Sequence, residues 1–199
     1  MDSVRFSAGG APMLGEPLPV ELANTTYAVR GQLRDGLETV EQLVGWLRDV
    51  RERLGTPLRD ADLAQAGPLD LAAARDLRQA VRLIAQAVVI GDQPPSAAID
   101  TVNRVIRTAP PWRELRWAAG PSTVTVSGHP LVATALAEIA MAAVDLFTGP
   151  DLAALRICHG PGCVLYFVKH HPRREWCSGG CGNRARAARY YERTKARAG

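Results

Sequence analysis

The chain has 199 residues, 47% of them hydrophobic and 22% charged, which excludes a disordered or collagen-like chain and leaves room for one or two small domains. Its net charge of +4 hides a split: residues 1–150 carry 14 Arg against 17 acidic residues, net −3, while residues 151–199 carry 10 basic against 3 acidic residues, net +7. The nearest thing to a membrane span, Leu131 to Phe147, is interrupted by Glu138 and Asp145, and Met1-Asp2-Ser3 does not begin a secretion signal, so a cytoplasmic protein with no membrane segment is expected.

Residues 1–17, rich in Gly and Pro, read as a flexible N-terminal segment. A helical domain is expected over 18–150. Its first helix starts near Pro19, where Val20, Leu22, Ala23, Tyr27 and Val29 are broken by the polar trio Asn24-Thr25-Thr26. A second helix, Thr39 to Leu54, puts Val40, Leu43, Val44 and Leu47 on one face, with Thr39 as N-cap. The third, Asp70 to Ile90, has the clearest apolar stripe, through Leu71, Ala74, Leu77, Val81, Ile84 and Val88. Pro94-Pro95-Ser96 opens a fourth that runs to about Thr108. Around Gly120-Pro121 the segments Glu114–Ala118 and Thr123–Ser127 alternate with period two, which predicts a β-hairpin. A long apolar helix from Pro130 to Phe147 ends at Gly149-Pro150. The expected fold is mainly α, a helical domain with one hairpin, followed at 151–199 by a small four-cysteine module of β-hairpin plus basic helix.

All four cysteines lie in that last segment, as Cys158-x4-Cys163, thirteen residues, then Cys177-x3-Cys181. Two close pairs across a short spacer have the spacing of a structural zinc site, and four thiolates leave no open position for water. One structural Zn2+ per chain is therefore predicted. Two alternatives stay open: four reduced thiols without metal, and a ligand from His159, His170 or His171 in place of a cysteine. After Cys181, Asn183 is a candidate N-cap for a basic helix. At 100° per residue, Arg186, Arg189, Arg193 and Arg197 form one stripe bordered by Tyr190, with Ala188 and Tyr191 towards the zinc module. Together with Arg173, Arg174 and Arg184, the stripe predicts a DNA-binding face, the plain alternative being a solvated basic tail.

The run Arg174-Glu175-Trp176-Cys177-Ser178, followed by Cys181-Gly182-Asn183-Arg184, resembles the CGNR zinc finger, named for that tetrapeptide. Upstream, Glu21-Leu22-Ala23-Asn24-Thr25 and Leu43-Val44-Gly45-Trp46-Leu47 resemble the helical ABATE domain that precedes it. The resemblance spans about residues 18–197 and implies a transcriptional regulator whose finger contacts DNA.

A regulator of this kind leaves room for a small-molecule effector. Asn24 and Thr25 are candidate pocket residues, although residues of this type also bond to backbone within a core. Trp112 and Trp117 are open to the same two readings. No enzyme is expected: there is no phosphate loop or nucleophile motif, and nothing in the segment of His170-His171 resembles an acidic metal-binding partner for nuclease chemistry. A homodimer is expected because one short finger makes few contacts, with Leu131–Phe147 as a candidate interface. The competing reading is a zinc-scaffolded protein- or RNA-interaction module. Zinc removal is expected to unfold residues after about 156 and spare the helical domain.

Overall fold

The computed structural model describes residues 5–198, apart from the side chains of residues 197 and 198, so the Arg197 end of the predicted stripe lies outside the described residues. Helices α1 (Leu18–Ala23), α2 (Val40–Val50), α3 (Asp60–Leu63), α4 (Pro68–Ile90), α5 (Ser96–Thr108) and α6 (Leu131–Thr148) form the body, and α7 (Gly179–Ala198) belongs to the C-terminal module. Four antiparallel hairpins punctuate them: β1 (Arg5–Phe6) with β2 (Pro12–Met13), β3 (Thr26–Val29) with β4 (Gln32–Asp35), β5 (Trp112–Trp117) with β6 (Pro121–Val126), and β7 (Leu155–Ile157) with β8 (Tyr166–Val168).

Local chemistry accounts for most element ends. Thr39 accepts from the Gln42 amide while the Gln42 side chain accepts from the Thr39 amide, a reciprocal cap on α2. The apolar stripes of α2, α4 and α6 then converge, burying Leu43, Trp46, Leu47, Leu77, Leu136 and Ile139 in one core. Each such side chain contributes about 1.5–3 kcal/mol by leaving water.

Helix α6 is long and apolar enough to cross a bilayer by length and composition, yet nine of its residues are buried, seven of them in this core. Its charge at Glu138 is used locally: the carboxylate accepts from the Gly55 amide, and from the Thr56 amide and hydroxyl at 2.9 and 2.8 Å, tying down the loop after α2. The candidate dimer interface Leu131–Phe147 is thus mostly core.

Three further expectations are corrected. Residues 5–17 are not a loose lead-in: β1 and β2 pair, the Ala8 amide donates to Asp49 at 2.7 Å, and Glu16 is buried. The first helix stops at Ala23, and the apolar residues after the polar trio belong to the β3–β4 hairpin. That hairpin turns at Arg30-Gly31, both with positive φ (52° and 79°), the backbone a two-residue type I′ turn needs. Trp112 and Trp117 sit on the β5–β6 hairpin, and both are exposed, Trp117 at 73%.

Candidate zinc centre and nucleic-acid face

The module begins where α6 ends. A short 3-10 turn, Pro150–Ala154, leads into β7, and the knuckle between β7 and β8 carries the first cysteine pair. The Cys158 amide donates to the Leu165 carbonyl and the Cys163 amide to the Gly160 carbonyl, both at 2.8 Å. Gly160 is needed at the knuckle because a Cβ there would lie 2.9 Å from the Cys181 Cβ and 3.2 Å from its Sγ. The second pair comes from the entry to α7. Ser178 caps that helix, its hydroxyl accepting from the Cys181 amide at 3.4 Å, so Cys181 lies in the first turn. Asn183, expected as the cap, is therefore already inside the helix.

The four Sγ atoms all lie within 4.8 Å of one another. Cys163 and Cys177 are 3.8 Å apart and Cys177 and Cys181 3.4 Å; tetrahedral zinc with bonds of about 2.3 Å places its sulfurs about 3.8 Å apart. The cluster fits one zinc ion and contains cysteines alone. His159, His170 and His171 are not part of it; His170 Nδ1 instead lies 3.8 Å from Asp151, and His171 Nδ1 accepts from the Arg173 amide at 3.1 Å. The thiols crowd each other electrostatically. Hydrogen bonds from Cys163, Cys177 and Cys181 hold the Cys158 thiol far below its ordinary range. Hydrogen bonding to Cys158 first, then to the other two cysteines, pushes Cys177 far above it. A divalent cation at the centre removes this competition by favouring four thiolates together.

The inner side of the module is keyed to the body. Into and along β8 the side chains alternate: Tyr166 and Val168 enter the main core, while Phe167 and the preceding Leu165 pack with the cysteines. Asn24 is fully buried, where its carboxamide donates to the Tyr166 carbonyl (2.9 Å) and accepts from the Tyr166 amide (2.8 Å). The Thr25 hydroxyl donates to the Leu22 carbonyl at 2.7 Å and accepts from Arg78 at 3.3 Å. Both side chains are spent on bonds inside the core, where they act as structural pins. Arg82 lies over the Tyr166 ring at 5.2 Å and reaches the Val164 carbonyl at 3.4 Å.

Arg174 also turns inward and leaves the predicted DNA face. Its guanidinium pairs with Glu16 and donates to the carbonyls of Val168 (3.1 Å), Trp176 (3.3 Å) and Cys177 (3.0 Å), with the Phe167 ring 4.9 Å away. Glu16 further accepts from the Val168 amide at 2.9 Å. Burial pushes the Glu16 carboxyl above its usual range, with the Val168 amide and Arg174 pulling it back. Glu16 has no local sequence signal, since its partners lie about 150 residues away. Arg184 points to the metal site, its Nη2 2.9 Å from the Cys181 Sγ.

The remaining predicted residues face outward. Arg186 bonds to Asn183; Arg189 and Arg193 lay their Nε atoms on the carbonyls one turn back, at 3.3 and 3.2 Å. With Tyr190 and Glu192 these arginines line a shallow groove along α7, and Arg173 is exposed nearby. Ala185 is buried and Ala188 half-buried, so they form the inner face of α7, whereas Tyr191, expected there, is 72% exposed.

A family model described as "Putative stress-induced transcription regulator", ABATE, matches residues 16–150, and a second, the CGNR zinc finger, matches 154–194. The chain belongs to the ABATE family and carries a CGNR zinc finger. No curated protein matches it. The two matched segments meet at the end of α6, which places Asn24 and Glu16 in the ABATE segment and their partners Tyr166, Val168 and Arg174 in the finger.

Proposed function

We propose that this protein is a zinc-containing, DNA-binding transcriptional regulator of the cytoplasm, associated with the nucleoid when bound, in which α7 docks on DNA and the ABATE segment receives a signal. One observation carries the reading. The β7–β8 hairpin packs on the body, while Arg186, Arg189 and Arg193 are left outward on one helix with Arg173 exposed beside them. Arg186, Arg189 and Arg193 stand on successive turns of α7, at a spacing that follows a phosphate backbone or enters a major groove. Zinc anchors the first turn of that helix at Cys181, so its orientation is set before DNA arrives. Neither matched family is enzymatic, and the proposed activity is binding alone. Pairing of two chains would double the few contacts one short helix provides; sedimentation of the DNA complex tests it.

Fluorescence anisotropy of zinc-loaded protein on duplex DNA, titrated with salt, tests the central claim. Four outward arginines on phosphates give a log–log salt slope near about −3.6, at roughly −0.9 per contact. Tighter binding of single-stranded RNA than of duplex DNA would favour an RNA-interaction module instead. Absence of binding to either at low salt would overturn the nucleic-acid reading.

A further inference from the structure

Helices α4, α5 and α6 leave a recess of about 290 Å³ at the end of the bundle where α6 gives way to the finger. Its wall is aliphatic and aromatic, built from Ile84, Val88, Ile99, Val102, Val144 and Phe147, and none of its lining residues is charged. Two polar side chains reach it. The Thr148 hydroxyl is committed to the Val144 carbonyl at 2.8 Å. The Asn103 carboxamide is half-buried at the lining and, among the described residues, takes no hydrogen-bond partner. Ile99 at 43% exposure and Val144 at 38% give the recess an apolar rim open to solvent.

We infer that this recess is the binding site for a small, uncharged, largely apolar molecule with one hydrogen-bonding group, of the size of a phenol or an indole. Size sets the upper bound: a cavity of about 150 Å³ holds benzene, and drug-sized ligands need roughly 300 Å³ or more. Charge sets the class. A carboxylate or an ammonium group would lose its water against this wall and find no ionic partner, a cost a neutral ligand avoids. Asn103, with a donor and an acceptor both uncommitted, supplies the orienting hydrogen bond.

The site adjoins both elements that seat the finger. Ile84 and Val88 stand on α4 just beyond Arg82, whose carbonyl accepts from the Tyr166 hydroxyl at 3.3 Å and whose guanidinium reaches Val164. Phe147 and Thr148 close α6 immediately before the turn that enters β7. A ligand between these walls contacts both supports of the finger, and its binding is independent of whether the finger binds DNA.

The test uses the full zinc-loaded chain without DNA. Titration with p-cresol, indole and benzoate is followed by calorimetry and by 1H–15N spectra. Expected are saturable binding of p-cresol and indole with shifts concentrated on α4, α5 and α6, and no binding of benzoate. Asn103→Leu weakens p-cresol about tenfold, the loss of one well-placed hydrogen bond, and leaves toluene binding intact. Ile99→Trp, at a partly exposed position, plugs the recess and abolishes binding of all three neutral probes; Val144→Trp serves the same purpose should the first variant lose zinc or helicity. Benzoate binding as well as p-cresol, p-cresol binding undiminished in the plugged variant, or no saturable binding of p-cresol or indole at millimolar concentration would each overturn the assignment.

Discussion

Arg174 and Arg186 belong to one basic segment, yet the first is held by Glu16 and three carbonyls in the seam between finger and body, while the second bonds to Asn183 at the surface. The seam is built from long-range pairings: Asn24 with Tyr166, Glu16 with Val168 and Arg174. The outer ridge of α7 is built from local bonds to its own helix and ends in exposed guanidinium groups. The same residue type is therefore buried in long-range pairings on one side of the zinc cluster and left open to solvent on the other. The CGNR finger here is not a bead on a string; it shares its core with the ABATE segment.

The largest effect that can break this contrast is loss of the metal. Structural zinc contributes apparent binding energies of about 10–16 kcal/mol in small fingers, much of it folding energy. Because Leu155, Tyr166 and Val168 lie in the same core as Trp46 and Leu136, chelation is expected to lower the melting temperature of the helical body too, rather than sparing it. Circular dichroism melts with and without EDTA, and of Cys177→Ala, measure this. A body that melts unchanged would show the seam to be energetically empty.

Next in size is the clamp itself. Arg174→Met leaves Glu16 buried without its cation, and removal of one partner of a buried pair costs about 3–5 kcal/mol; the side chain of Arg174 is 28% exposed, so the low end is expected. Asn24→Leu orphans the Tyr166 amide and carbonyl and costs about 1–3 kcal/mol. Urea midpoints report both losses, while the salt slope of DNA binding stays fixed. A slope reduced by about one in Arg174→Met would put Arg174 on the DNA after all. The ridge gives the mirror image. The double variant Arg186→Ala, Arg189→Ala is expected to shift stability by no more than about 0.5 kcal/mol and to lower the salt slope by about two. Unchanged DNA affinity with the finger folded would reduce the ridge to a solvated face.

What was legible in the sequence follows the same division. Signals with a short range read correctly: the Thr39 cap, the stripe of α4, the period-two alternation of β5 and β6, the paired cysteines. Signals that need a distant partner did not. Asn24 and Thr25 look like a polar flaw in a helix until Tyr166 arrives from 142 residues away. Arg173-Arg174 looks like a phosphate patch until Glu16 claims the second of the two. The Arg30-Gly31 turn was hidden because the apolar residues Tyr27 and Val29 also fit a continuing helix. The phase of α7 slipped for a physical reason as well. The helix starts at Gly179, so Cys181, Ala185 and Ala188 set the inner face and Tyr191 falls outside it.

The smallest expected effect concerns Arg184, which stands between seam and ridge. It sits beside the outward arginines of α7 in sequence, but its guanidinium is 2.9 Å from the Cys181 Sγ. Four thiolates around a divalent ion leave a doubly negative centre, and a sulfur bound to zinc still accepts a charge-assisted hydrogen bond. Arg184 thereby offsets charge at one ligand and holds the sulfur in the direction the metal needs. Partners of this kind typically change metal affinity by about 10–100-fold when removed. Arg184 is partly open to water, so Arg184→Gln is expected to speed zinc transfer to a chromogenic chelator by about tenfold, the low end. Arg184→Lys keeps the charge without the planar fork and should recover part of that loss. With zinc in excess, the salt slope of DNA binding should match the parent chain. A slope reduced by about one, with zinc transfer unchanged, would place Arg184 on the ridge with Arg186 rather than on the metal.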